Sequence, residues 1–151
     1  VAPGHAGVLL RRLLRAEAVL LLVVFAVTAA LSGTAPPGAD ASGPRNLSGT
    51  IGPARFDATV DPARVGPNAV HLYLLDPRTG APWTRADEVG LAARQPQAGI
   101  EPLTERLRRA GPGHYLAPGL QLAAPGRWTL TFTVRVGDFD EYEATRTVTI
   151  R

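Results

Sequence analysis

Pro125-Gly126-Arg127-Trp128-Thr129-Leu130-Thr131-Phe132-Thr133-Val134-Arg135-Val136 alternates in side-chain character without a break from Arg127 onward. Trp128, Leu130, Phe132, Val134 and Val136 fall on one side, and Thr129, Thr131, Thr133 and Arg135 on the other. Successive side chains of a strand point to opposite faces of a sheet. Aromatic and β-branched residues also fit that pleated surface. The stretch therefore predicts a strand with one buried face. Pro125-Gly126 turns into it, and Gly137-Asp138-Phe139-Asp140 turns out of it into Glu141 to Arg151, rich in Thr, Val and Ile.

The same period extends upstream. Phe56 to Val60 is a short strand. Between Asn68 and Asp76, Val70, Leu72 and Leu74 point one way, and His71 and Tyr73 the other. Asp76-Pro77-Arg78-Thr79-Gly80 is a turn, with proline presetting φ and glycine free to adopt a positive one. Val89, Leu91 and Ala93 mark a further strand, Leu103, Glu105 and Leu107 another, and Tyr115 to Leu122 another. About seven short strands with turn signals between them and no helical period predict an all-β, immunoglobulin-like antiparallel sandwich over residues 54–151. The chain has no cysteine, so this sandwich must stand on its core. Trp128, Phe132, Tyr115 and Phe56 lead the expected core.

The N-terminal part reads differently. Ala18 to Leu31 is an apolar run of 14 residues, with Arg11, Arg12, Arg15 and Glu17 just before it. Fourteen helical residues span about 21 Å, whereas a bilayer core needs roughly 30 Å. A transmembrane helix at 18–32 therefore reaches back to about residue 13, which draws Arg15 and Glu17 to the membrane edge. Arginines gather on the cytoplasmic flank of a span. Residues 1–17 are then a cytoplasmic basic flank and the C-terminal domain is extracytoplasmic. A cleaved signal peptide is the rival reading, with Thr28-Ala29-Ala30 or Ala39-Asp40-Ala41 as cleavage sites. From 33 to 53 the chain is mostly Gly, Ala, Pro and Ser, a linker partly stiffened by Pro36-Pro37.

Glu17 has Leu13, Leu14, Leu20 and Leu21 as its neighbours on the helix and no arginine at a pairing distance. A carboxylate on a leucine face at membrane depth faces protein or a water-filled cavity. The expected partners are thus the lipid bilayer and other membrane helices. Nucleic acid is not among them. The sequence pI of about 10.2 arises from a chain without lysine, and residues 53–151 carry twelve Arg against eleven acids. With charges so interspersed there is no basic stripe to track a phosphate backbone.

The inventory also argues against an enzyme. Ser32 ends the membrane helix, Ser42 and Ser48 lie in the linker, and no cysteine is present to act as nucleophile. Asp138, Asp140, Glu141 and Glu143 lack the glycine and distal bidentate carboxylate of a calcium loop. Arg106, Arg108 and Arg109 read as charge that guards a sheet edge. His71 and His114 are the histidines of the domain. Parity turns both outward, and pairing of their strands would set them on one face. Two imidazoles suit Cu(II) or Zn(II), with two unpartnered surface histidines as the plainer alternative. Without Met or Cys no soft Cu(I) site can be built, and the residues alone assign no cofactor between Cu(II) and Zn(II).

Several stretches resemble the C-terminal end of the bacterial copper resistance D family, including its longer YcnJ-type forms. Leu10-Arg11-Arg12-Leu13-Leu14-Arg15-Ala16-Glu17, opening an apolar helix that ends near Pro36-Pro37, looks like that family's last membrane span. Arg64-Val65-Gly66-Pro67-Asn68, Gly113-His114-Tyr115, Pro125-Gly126-Arg127-Trp128 and Arg135 to Glu141 look like its outer domain, in the same order. The paired Gly-x-Tyr and Pro-Gly-x-Trp pattern also resembles YtkA-like outer domains. The resemblance implies the last helix and extracytoplasmic domain of a copper transport or resistance protein, with a structural or docking role. A stand-alone, single-span interaction module and a Cu(II)-binding accessory domain are the alternatives. The resemblance carries over no ligand residue of the family, whose several-helix membrane core has no counterpart in this sequence.

Overall fold

Helix α1 spans Gly4–Gly33. No glycine or proline interrupts it between Gly7 and Gly33, and Leu and Arg are both good helix formers. That is why the helix starts well before Ala18 and takes in residues 4–17 of the basic flank. Leu9–Ala30, 22 residues, is long and apolar enough to cross a membrane by length and composition. At 1.5 Å per residue it measures about 33 Å, matching a bilayer core. Its leucines and valines are exposed, from Leu9 through Val27.

The computed structural model describes residues 4–33 and 43–151. The helix and the β-sandwich are separate units. Residues 34–42, most of the N-terminal half of the expected linker, lie outside the described residues.

The sandwich has nine strands in two antiparallel sheets. One sheet runs β1 (Arg45–Ile51), β2 (Ala54–Asp61), β3 (Gly66–Leu75), β7 (His114–Leu122), β6 (Arg108–Gly111). The other runs β5 (Ile100–Arg106), β4 (Glu88–Gln95), β8 (Gly126–Val136), β9 (Asp140–Ile150). The inward side chains of β2, β3 and β7 meet those of β4 and β8. Phe56 and Phe132, from opposite sheets, pack with ring centroids 5.4 Å apart. Trp128 is fully buried and donates its indole N–H to the Ala124 carbonyl at 2.9 Å. Burying such aromatics supplies much of the driving force in a core that no disulfide braces.

Two strands exceed the number expected, and each has a physical reason. β1 lies inside the stretch 33–53 read as linker. Its sequence, Arg45-Asn46-Leu47-Ser48-Gly49-Thr50-Ile51, carries little apolar content. Its inward position at Gly49 is occupied by the Arg146 side chain, which would clash with any Cβ there. The Arg146 guanidinium donates to the Ser48 carbonyl at 2.7 Å and lies 5.3 Å from the Phe56 ring centre. The guanidinium of an arginine from β9 therefore takes the space of the apolar side chain that would have announced the strand. The second difference is the expected strand at Leu103 to Leu107, which divides in two. Leu107 is buried where the chain crosses between sheets, its N–H bonded to the Val89 carbonyl at 2.9 Å. β5 lies before it on one sheet and β6 after it on the other.

Candidate metal centre

β3 and β7 are neighbours in the five-stranded sheet, antiparallel, with Tyr73 opposite His114 and His71 opposite Leu116. Val70, Leu72 and Leu74 are fully buried, as is nearly all of Tyr115. Alternation then turns His71, Tyr73 and His114 to the outer face. Each strand is fixed at its start. Asn68, itself buried, accepts the Arg64 N–H at 3.2 Å and donates to the carbonyls of Arg64 at 2.8 Å and Gly66 at 2.9 Å. Gly113, with φ of +64°, turns the chain into β7, and its carbonyl accepts the Leu74 N–H at 2.7 Å.

These constraints bring the two histidines together. Nδ1 of His71 lies 3.1 Å from Nε2 of His114, with both side chains part-buried. Their rings are nearly parallel, 15° apart with centroids 5.3 Å apart. Tyr73 stacks on the other side of the contact, its ring 4.3 Å from that of His114 and 8° from parallel. Burial, and then the neighbouring His71, hold the His114 pKa below the ordinary imidazole value. Two facing ring nitrogens at this distance accommodate one proton between them, as an N–H donor to a lone pair, and disfavour two. With nitrogens 3.1 Å apart and ring centroids 5.3 Å apart, the rings face each other nearly end to end, so an ion held by both would require the two rings to turn toward it.

Metal–imidazole bonds are about 2.0–2.1 Å. Two nitrogens 3.1 Å apart, each at that distance from one ion, subtend roughly 100° there, near the right angle of a tetragonal Cu(II) site. Among the described residues no group of three or more His, Cys, Asp or Glu is gathered for a metal. The carboxylate nearest in register, Asp57 opposite Tyr73, is paired with Arg55 at 2.9 Å. The chain therefore supplies two imidazoles and leaves the other coordination positions open.

The other expected residues stand apart. Arg15 and Glu17 lie on α1, both exposed, and Glu17 makes no ion pair among the described residues. Arg106, one of the edge arginines, pairs with Glu88 at 3.2 Å. Arg109 donates to the Ala86 carbonyl at 2.5 Å and lies over the Tyr115 ring. Sequence reasoning passed over Tyr73. The signal for it was its spacing of two from His71 on an alternating strand.

The fold is similar to that of FetP. A solved structure described as a copper-bound single-substitution variant of FetP from uropathogenic Escherichia coli strain F11 superposes with a TM-score of 0.50 at 8% identity, over 70% of this chain and 90% of that one. At this identity the likeness speaks to the fold alone. No family model matches the sequence, and no curated protein matches it significantly.

Proposed function

We propose that this protein is a helix-anchored, extracytoplasmic accessory domain of a bacterial copper transport or resistance system, and that His71 and His114 hold Cu(II) on its outer face. The observation that carries this reading is the 3.1 Å approach of two imidazole nitrogens on neighbouring strands. It is supported by the sequence resemblance to the outer domain of the copper resistance D family. That FetP, similar in fold, has been solved with copper bound agrees with it. Among divalent first-row ions, nitrogen donors favour copper most strongly. We read the domain as binding rather than catalysing, since the hydroxyl opposite His71, that of Thr59, donates to Asn46 Oδ1 at 2.9 Å. The apolar helix anchors it, with the arginine flank in the cytoplasm, and Glu17 turns toward other membrane helices.

The test is made in cells. Bacteria producing the full chain should tolerate or accumulate copper differently from those producing the His71→Ala/His114→Ala double variant at equal levels. Identical copper content and tolerance in the two strains would refute the assignment.

A second reading is favoured by Phe139, 96% exposed at the tip of the β8–β9 hairpin. A single-span interaction module would use such a side chain to dock a partner. In that case Phe139→Ala, and not the histidine variant, would remove the phenotype.

A further inference from the structure

We infer that the end of the sandwich at which the chain enters it is a docking surface for anionic lipid headgroups. This rests on the reading of α1 as a membrane anchor. The first observation is where the fold gathers its arginines. Arg45 opens β1 and lies opposite Val60, near the end of β2. Arg64 lies in the loop from β2 to β3, and the Val65 N–H beside it donates to the Arg151 carbonyl at 3.0 Å. Arg127, at the start of β8, lies opposite Thr149, near the end of β9. Arg94 is drawn to the same end because the neighbouring Gln95 donates its amide to the Pro125 carbonyl at 2.7 Å. Five arginine side chains, scattered along the sequence, thus share this end with two carboxylate side chains, Asp61 and Glu101.

Arg64, Arg94, Arg127 and Arg151 are exposed, and none makes an ion pair among the described residues. The opposite end differs. Residues 76–88, 106–113 and 135–141 there carry as many acids as arginines, and Glu88 pairs with both Arg106 and Arg135. The sandwich therefore has one basic end and one neutral end, although its charges are interspersed in sequence.

The second observation is Val65, 42% exposed beside Arg64. Its position is fixed by the bond to Arg151 and by the Asn68 side chain, which binds the Arg64 backbone. An apolar side chain among arginines suits the boundary between headgroups and acyl chains. A soluble anion would leave it without a partner.

The third observation is connectivity. β1 begins at this end, so the stretch leading back to α1 leaves the sandwich here. From Gly33 to Gly43 that stretch reaches at most about 36 Å, which keeps an anchored domain at high effective concentration over the bilayer. An anionic lipid surface attracts basic groups within a Debye length, about 8 Å at physiological salt.

The full chain, which has no cysteine of its own, can be labelled with a fluorophore at one site. Ala98→Cys is exposed at the basic end and Thr84→Cys at the other. Each is placed in nanodiscs of phosphatidylcholine, with or without phosphatidylglycerol, that carry a headgroup quencher. The label at 98 should be quenched more strongly with phosphatidylglycerol than without. Salt at about 1 M, where the Debye length is about 3 Å, should abolish that difference, and so should Arg64→Gln/Arg127→Gln. The label at 84 should show no difference. Equal quenching at 98 in both lipids, with the chain retained in the discs, would overturn the docking and leave the anchor reading standing. A chain that does not enter phosphatidylcholine discs would overturn both.

Discussion

His71 and His114 lie 43 residues apart in the sequence and 3.1 Å apart at their ring nitrogens. Everything between them, β4, β5 and β6, is a detour through the other sheet and back. The contact is therefore a property of the folded sandwich and should vanish with it.

Stability should fall as pH is lowered through the histidine range. The His114 pKa is held down in the folded state, by burial and then by His71. In the unfolded chain it returns to about 6.5. The unfolded state thus binds more protons below that value, and the stabilising contribution, complete above it, is lost as pH falls toward the folded value. Asp76, whose carboxylate accepts the Arg78 and Thr79 N–H groups, and Glu88, held by Arg135, are also lowered. Their contributions disappear only below about pH 4. Between pH 7.5 and 5.0 the urea midpoint should drop, and His114→Gln should flatten the slope. Equal midpoints for the wild type at the two values would count against the pairing.

Gly113→Ala should disturb both fold and site. A Cβ at this position would stand 2.6 Å from the Leu74 carbonyl oxygen, at a φ of +64°. Left-handed backbone strain alone costs about 1–3 kcal/mol. Because His114 is the next residue, Cu(II) affinity should weaken along with thermal stability. A variant as stable as the wild type, with unchanged affinity, would show that the hairpin does not position His114.

Asn68→Ala should cost about 1–3 kcal/mol in chemical denaturation, since it orphans buried backbone groups of the loop before β3. Asn68 is 1% exposed and makes three hydrogen bonds within that loop. A change within about 0.5 kcal/mol, the range of ordinary surface substitutions, would argue that water replaces the side chain.

The sandwich was legible because alternation survives wherever a strand has one buried face. Val70, Leu72 and Leu74 declared β3, and Trp128 to Val136 declared β8. The pairing of the strands bearing His71 and His114 followed from expecting an immunoglobulin-like order. β1 was hidden because Arg146, from the far end of the chain, fills the space an apolar side chain would have taken at Gly49. The break at Leu107 was hidden because its alternation with Leu103 and Glu105 runs on although the chain changes sheet there. Parity could place two histidines on one face. Only the register of β3 against β7, with Tyr73 opposite His114, set the distance between them.

Tyr73→Ala should loosen the His114 ring by removing the parallel stack at 4.3 Å, whereas Tyr73→Phe should preserve it. Stacked aromatic pairs contribute about 0.5–1.5 kcal/mol beyond area burial. Cu(II) affinity should fall severalfold in the alanine variant and stay near wild type in the phenylalanine variant. If the phenylalanine variant loses as much, the hydroxyl is a ligand and the stack is incidental.

The most direct measurement is Cu(II) affinity by chelator competition for the wild type, His71→Ala, His114→Ala and the double variant. If the two imidazoles chelate one ion, each single substitution loses at least about tenfold, roughly 1.4 kcal/mol. The double variant then loses little more than either alone, the non-additivity of residues that act as a unit. Losses that simply add, or single variants that bind as tightly as the wild type, would contradict a shared copper site.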